Sequence, residues 1–227
     1  MVIDCGSTKR YLTQSFHNIG VDYTTVNGLL LTHDHSDHIA QLKLFANANI
    51  YAPFELKGLP QSYRVMPYQE FRIDEFSVLP IPLSHDTEIN VGYIIENATE
   101  KLVYITDTGY IKETDFPLIR DADYYIVESN HDPKILMKTS RPYYLKQRIL
   151  SDTGHMSNQA SAEVLQQVIS ARTREIVLAH ISEEANRPDV VLEVMSSALV
   201  RYLGQVSIRA AKQFEVLSGG VMDEKRE

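Results

Sequence analysis

A chain of 227 residues, 44% hydrophobic and 23% charged, has the proportions of an ordinary globular protein and is long enough to bury a sizeable core in one domain. A net charge of −8 argues against unaided, non-specific binding of polyanions, although bound divalent cations would reverse the sign locally. A single cysteine, Cys5, excludes an internal disulfide framework, and without a signal peptide or spanning apolar run the chain reads as cytoplasmic, with no membrane partner.

In chain order, a strand at 2–6 precedes helical periodicity over 9–19. Strands follow at 29–32, 49–52, 71–73, 76–82, 91–96 and 101–106, with a helix at 37–45 after the first of them. The second half reads as buried strands at 124–128 and 175–179, each followed by a helix. Ser157 is placed to cap the first, whose Val164, Leu165, Val168 and Ile169 form an apolar stripe. Asn186-Arg187-Pro188-Asp189 is a second start signal. No repeat or linker divides the chain, so 1–218 reads as one domain, with 219–227 as a flexible charged tail.

Chemistry concentrates in Thr32-His33-Asp34-His35-Ser36-Asp37-His38, three imidazoles and two carboxylates in seven positions. These are the usual ligands of zinc and similar metals. His33 and His35 leave one side of an extended backbone, while Asp37 and His38 fall at the start of a helix. One segment can therefore serve two adjacent metals. His85, Asp107 and His180 stand in later segments, and of eight histidines only His17 lies outside such segments. His33, Asp107, Glu128 and His180 each follow or end a strand, which would gather them at one edge of a sheet. Lys138, Arg141, Lys146 and Arg148 alternate with Tyr143 and Tyr144. That stretch suits a nucleic-acid track and reads equally as a solvated basic helix.

The first motif, with Leu83-Ser84-His85-Asp86, Thr106-Asp107-Thr108-Gly109 and Leu178-Ala179-His180-Ile181-Ser182, resembles the signature of the metallo-β-lactamase superfamily. Glu128-Ser129-Asn130-His131-Asp132 and Gly154-His155-Met156-Ser157-Asn158 resemble a narrower branch, the WalJ/YycJ-type proteins of bacteria and their phage relatives, which act on nucleic acid. The similarity runs over 3–216. It implies an α/β fold, the four-layer αββα sandwich, here short of the first strand or strands of its N-terminal sheet, because relatives carry one or two strands ahead of the segment at 2–6. It implies that His33, His35 and His85 hold one divalent ion, that Asp37, His38 and His180 hold another, and that Asp107 bridges them. Asp4 would orient the metal loop.

The same resemblance pairs Glu128 with His155 as a proton donor beside the metals, a place His131 also suits, although Asn130-His131-Asp132-Pro133 is good turn chemistry. His155 could instead cap a helix or bind phosphate through the Ser157 and Asn158 amides. Ser182, Lys138, Arg141 and Lys146 are further candidates for substrate contact.

The leading expectation is a two-metal phosphodiester hydrolase using zinc, manganese or iron. By resemblance it is a 5′-to-3′ exonuclease with a nucleic-acid substrate, DNA ahead of RNA. A hydrolase of small thioesters, lactones or cyclic phosphodiesters is the first alternative, against which the Glu128/His155 pair stands. A non-catalytic metal-binding module is the second, and it would have lost ligands, whereas none is missing here.

Overall fold

Short apolar runs build two sheets packed face to face, in a computed structural model that describes residues 1–59 and 61–220. The first sheet is all parallel, in the order Val2–Ile3 (β1), Gly28–Leu30 (β2), Asn49–Ala52 (β3), Ser62–Arg64 (β4). A parallel sheet covered on both faces needs apolar residues in succession, and all three residues of β2 are buried. Leu29 and Leu31 pack with Leu12 and Phe16 of helix Lys9–Asn18 (α1), while Leu30 faces the second sheet.

Seven strands make that second sheet. Phe71–Ile73 (β5), Phe76–Leu83 (β6), Asn90–Glu96 (β7) and Lys101–Ile105 (β8) run antiparallel in sequence. Tyr124–Glu128 (β9), Glu175–Ala179 (β10) and Ser207–Ala210 (β11) continue it in parallel beyond β8. Alternation separates its faces. Val78, Tyr93 and Ile95 point inward to Leu30, and Ile94, Val103, Tyr125, Val127 and Ile176 point outward. The outward set packs on Ala162, Leu165 and Val168 of Asn158–Val168, a helix called α6 below, and on Val191 and Met195 of Pro188–Ala198, called α7. The Tyr93 hydroxyl crosses between the sheets to donate to Leu31 O. These layers make the expected αββα sandwich. The four-stranded sheet covers only part of its larger partner, because Tyr104, Tyr124, Ile126 and Val177 on the inward face beyond β1 are half-buried.

Several elements differ from the sequence expectation. The helix at 37–45 is broken into Ser36–Ile39 (α2) and a 3-10 turn at Leu42–Phe45. The break falls where Gln41 N donates to Cys5 O instead of up its own helix. Strands β4 and β11 and the helix Phe116–Ile119 (α3), three or four residues each, are too short to show a period. The basic stretch at 138–148 folds as two helices, Pro133–Lys138 (α4) and Tyr143–Ile149 (α5), interrupted before Pro142. Of the expected flexible tail at 219–227, Gly220 N donates to Glu175 Oε2 at 2.7 Å, just beyond Ser218, whose carbonyl accepts from Arg209, while 221–227 lie outside the described residues.

Candidate metal centre

The loop after β2 is shaped by Asp4, which sits in the left-handed region (φ 56°) just past β1. Asp4 accepts Thr32 N and Thr32 Oγ1 at 2.9 Å each and faces His38 Nδ1 at 2.8 Å. Gly6 lets the loop close, since a Cβ there would stand 1.5 Å from Asp37 O.

The remaining site residues arrive from β6, β8, β9 and β10, whose ends share one edge of the large sheet. His85 lies just past β6 and Asp107 just past β8. Glu128 ends β9, and His180 follows β10. Asp107 and His180 are also left-handed, at φ 59° and 54°. For residues other than glycine that conformation costs energy and recurs where a side chain must be aimed.

Four imidazoles are held alike. Nδ1 of His33 meets Thr32 Oγ1 at 2.9 Å, that of His38 meets Asp4, that of His85 meets Gly154 O at 3.3 Å, and that of His180 meets Glu128 Oε1 at 2.8 Å. With the Nδ1 protons committed, Nε2 is the nitrogen that each ring can offer to a metal, a proton on it being displaced where one is held. Those of His180, His38 and His85 lie 3.3, 3.6 and 4.0 Å from the Asp107 oxygens. Ligand atoms of His33, His35 and His85 form one group within 4.8 Å, and those of His33, His38 and Asp107 a second. His33 Nε2 and Asp107 Oδ2 are buried with no partner in the protein. An unpaired buried carboxylate oxygen beside an unpaired imidazole lone pair is costly unless a cation sits between them, so the residues present fit divalent metals.

Charges in the cluster follow. Burial and the neighbouring histidines drive His33 down to about 2, so it stays neutral. Desolvation opposes a charge on His180, but Asp107 and Glu128 face it and raise it to about 9, so a metal at Nε2 would displace a proton. Glu128 is fully buried yet held down to about 2 by hydrogen bonds from His155, at 2.7 Å, and His180. His155 brings a ring nitrogen within 4.8 Å of ligand atoms on His85 and Asp107. Glu128 thus serves both His155 and His180, a sharing that single-residue motifs do not reveal.

Asp37, exposed in the first turn of α2, is near enough for its charge to raise both His38 and His180, although it belongs to none of the ligand groups within 4.8 Å among the described residues. Other candidates fall elsewhere. His131 is 1% exposed behind the site with neither ring nitrogen partnered, and burial lowers it to about 4, so it does not reach the cleft. Asn158 is fully buried in a reciprocal amide pair with Asn186, and its backbone N–H is taken by His131 O. Ser157 Oγ accepts from Ala160 N as the cap of α6, and of the two amides expected to meet phosphate that of Asn158 is already spent. Lys146 is buried, its ammonium donating to Met137 O and Thr139 O at 2.8 Å each, and is no substrate contact.

Lys138 is exposed, and Arg141 pairs with Glu184 at 2.8 Å. Arg141, Ser182, Asn130 and Lys212 line a cavity of about 480 Å³ that opens beside His155 and His180. One site residue, Asp86, escaped sequence reading. Asp86 Oδ1 stands 3.2 Å from His85 Nε2, and Asp86 also pairs with Arg148 of α5. The only signal for Asp86 was its place directly after His85.

Fold and site together define a metal-dependent hydrolase. The family model described as "Beta-lactamase superfamily domain" matches residues 1–181, and the chain belongs to that superfamily. It is 30% identical over 217 residues to "Exodeoxyribonuclease YycJ" of Bacillus anthracis, covering 88% of this chain and 80% of that one. It is 29% identical over 236 residues to "Exodeoxyribonuclease WalJ" of Streptococcus pneumoniae, covering 95% of this chain and 84% of the relative. Among solved structures, the metallo-β-lactamase fold protein YhfI from Bacillus subtilis shares the fold at a TM-score of 0.69 and 18% identity, over 93% of this chain and 84% of that one. Among the described residues no helix is long and apolar enough to cross a membrane.

Proposed function

We propose that this hydrolase is a two-metal nuclease that cleaves DNA from an end in the 5′-to-3′ direction, through a site held within one domain spanning 1–218. The observation that carries the reading is the set of imidazoles with Nδ1 committed and Nε2 turned toward Asp107, beside an independent Glu128–His155 pair. Two divalent ions, zinc, manganese or iron, would neutralise phosphoryl charge and lower the pKa of water enough to supply a nucleophile at neutral pH. His33, His35 and His85 would hold one, Asp37, His38 and His180 the other, and Asp107 would face both.

The chain's own residues then divide the remaining work. Asp4 and Glu128 keep His38 and His180 in the ligand tautomer. In the doubly protonated ring of His155 the Nδ1 proton stays on Glu128, and the proton on the other nitrogen can pass to the departing oxygen, the costliest charge in phosphodiester cleavage, which leaves a neutral imidazole behind. An acyl hydrolase has no evident need of that donor. The relatives named exodeoxyribonucleases support DNA over RNA.

The test is purified protein with manganese and with zinc on end-labelled single- and double-stranded DNA and RNA, alongside bis-p-nitrophenyl phosphate. Metal-dependent release of nucleotides from the 5′ end is expected. Robust thioester or lactone hydrolysis with no phosphodiester cleavage would overturn the reading. Metal content should be two ions per chain, and Asp107→Ala should lower occupancy of both sites.

A further inference from the structure

The helix α5 is fixed from beneath and bare on top. Ile149 and Leu145 pack against Leu136 and Ala185, and the Lys146 ammonium pins the preceding turn through Met137 O and Thr139 O. Its outward side carries Tyr143, 66% exposed, and Tyr144, 74% exposed, the two most exposed large hydrophobic side chains among the described residues. A scattered exposed tyrosine needs no explanation. Two adjacent ones on a pinned helix that touches the metal centre do.

That contact is direct. His155 N donates to Ile149 O at 3.0 Å, and a Cβ on Gly154 would stand 2.3 Å from Arg148 O, so the C-terminal end of α5 rests on the loop carrying His155. Arg148, whose side chain is 57% exposed, reaches Asp86 beside His85. Tyr144 and Arg148 are four residues apart and share one face of the helix. A line therefore runs from the metal ligands to a guanidinium and then, one helical turn on, to an aromatic ring.

We infer that this face binds the single-stranded end of a DNA substrate, with Arg148 meeting the backbone beside the metal centre and Tyr144, flanked by Tyr143, stacking on a base. The inference rests on the nuclease reading above. Stacking suits this chain because its net charge of −8 gives little general attraction for a polyanion, whereas a ring offers affinity that is independent of sequence. Paired bases have both faces covered by their neighbours in the duplex, so an exposed ring of this kind selects a frayed or single-stranded end.

The test is the steady-state kinetics of the manganese-loaded enzyme on end-labelled single strands, each carrying one abasic nucleotide at successive positions from the 5′ end. Tyr144→Ala should lower kcat/KM on the unmodified strand roughly 5- to 100-fold, chiefly through KM. Tyr144→Trp should restore it. One abasic position should cost the wild type a similar factor and cost Tyr144→Ala nothing further. If every abasic position costs variant and wild type alike, or if Tyr144→Ala has unchanged kcat/KM, the inference fails while the nuclease reading stands. A wild-type protein that cleaves no nucleic acid overturns the nuclease reading and this inference with it.

Discussion

Glu128 Oε1 receives the Nδ1 protons of both His155 and His180, so one carboxylate aims a proposed proton donor and a proposed metal ligand. The two roles separate by substitution. His155→Ala should keep both metals and slow DNA cleavage by roughly 10²–10⁴-fold, the usual contribution of a placed proton donor. The defect should shrink on bis-p-nitrophenyl phosphate, whose nitrophenolate needs little protonation. Equal defects on both substrates would mean that His155 positions phosphate or binds metal. Glu128→Gln should cost activity and also weaken metal binding by roughly 10–100-fold, because His180 loses the partner that sets its tautomer. Titration with zinc against a competing chelator measures this, and unchanged affinity would show that His180 needs no such orientation.

At the scale of elements, strands were easier to read than helices. The strands at 49–52, 71–73, 124–128 and 175–179 stand where they were expected, because each is a bounded apolar or β-rich run. The helix at 37–45 was misread because its period is sound but the N–H of Gln41 is claimed by Cys5 O, 36 positions earlier in the chain. The basic stretch shows a second limit. Lys146 and Arg148 look alike in sequence, yet one ammonium is buried on two carbonyls and the other cation is exposed beside the metal loop. Lys146→Met should therefore destabilise the fold by roughly 1–3 kcal/mol, the cost of leaving buried carbonyls unpaired. Urea unfolding reads this directly, and an unchanged midpoint would mean that the α4–α5 turn does not depend on the ammonium.

For the whole molecule, the end of the large sheet opposite the metal edge is tied by Asp123. Its carboxylate accepts Lys101 N at 2.8 Å and Arg172 Nε at 2.9 Å, joining the starts of β8 and β9 to the turn before β10. Burial alone would raise this carboxyl, but the hydrogen bonds from Arg172 and Lys101 hold it below its ordinary range. A carboxyl whose pKa is lower in the folded than in the unfolded chain contributes stability above the unfolded value, about 3.9, and loses it as pH falls through the folded value. Asp123→Asn should thus be less stable than wild type at neutral pH, with the difference shrinking below about pH 3.9. Unfolding midpoints measured from pH 3 to 7 check it, and a constant difference would assign the effect to packing rather than charge.

The sequence by itself determined the superfamily, the layered fold and most of the candidate ligands. Their information is local: spacing within Thr32–His38 and single residues at the ends of apolar strands. Six of the seven candidates, His33, His35, His38, His85, Asp107 and His180, meet at one sheet edge, and the seventh, Asp37, lies beside His38 and His180 without joining a ligand group. Only the tertiary structure decided that Glu128 is shared, that Asp86 holds Arg148, that Asn158 is locked to Asn186, and that Lys146 is buried while Tyr144 is bare. Each of these depends on which partner or solvent a side chain meets once distant segments pack together. A carboxylate, amide, ammonium or phenol carries no local mark of whether its partner will be water, a ligand or a carbonyl far along the chain.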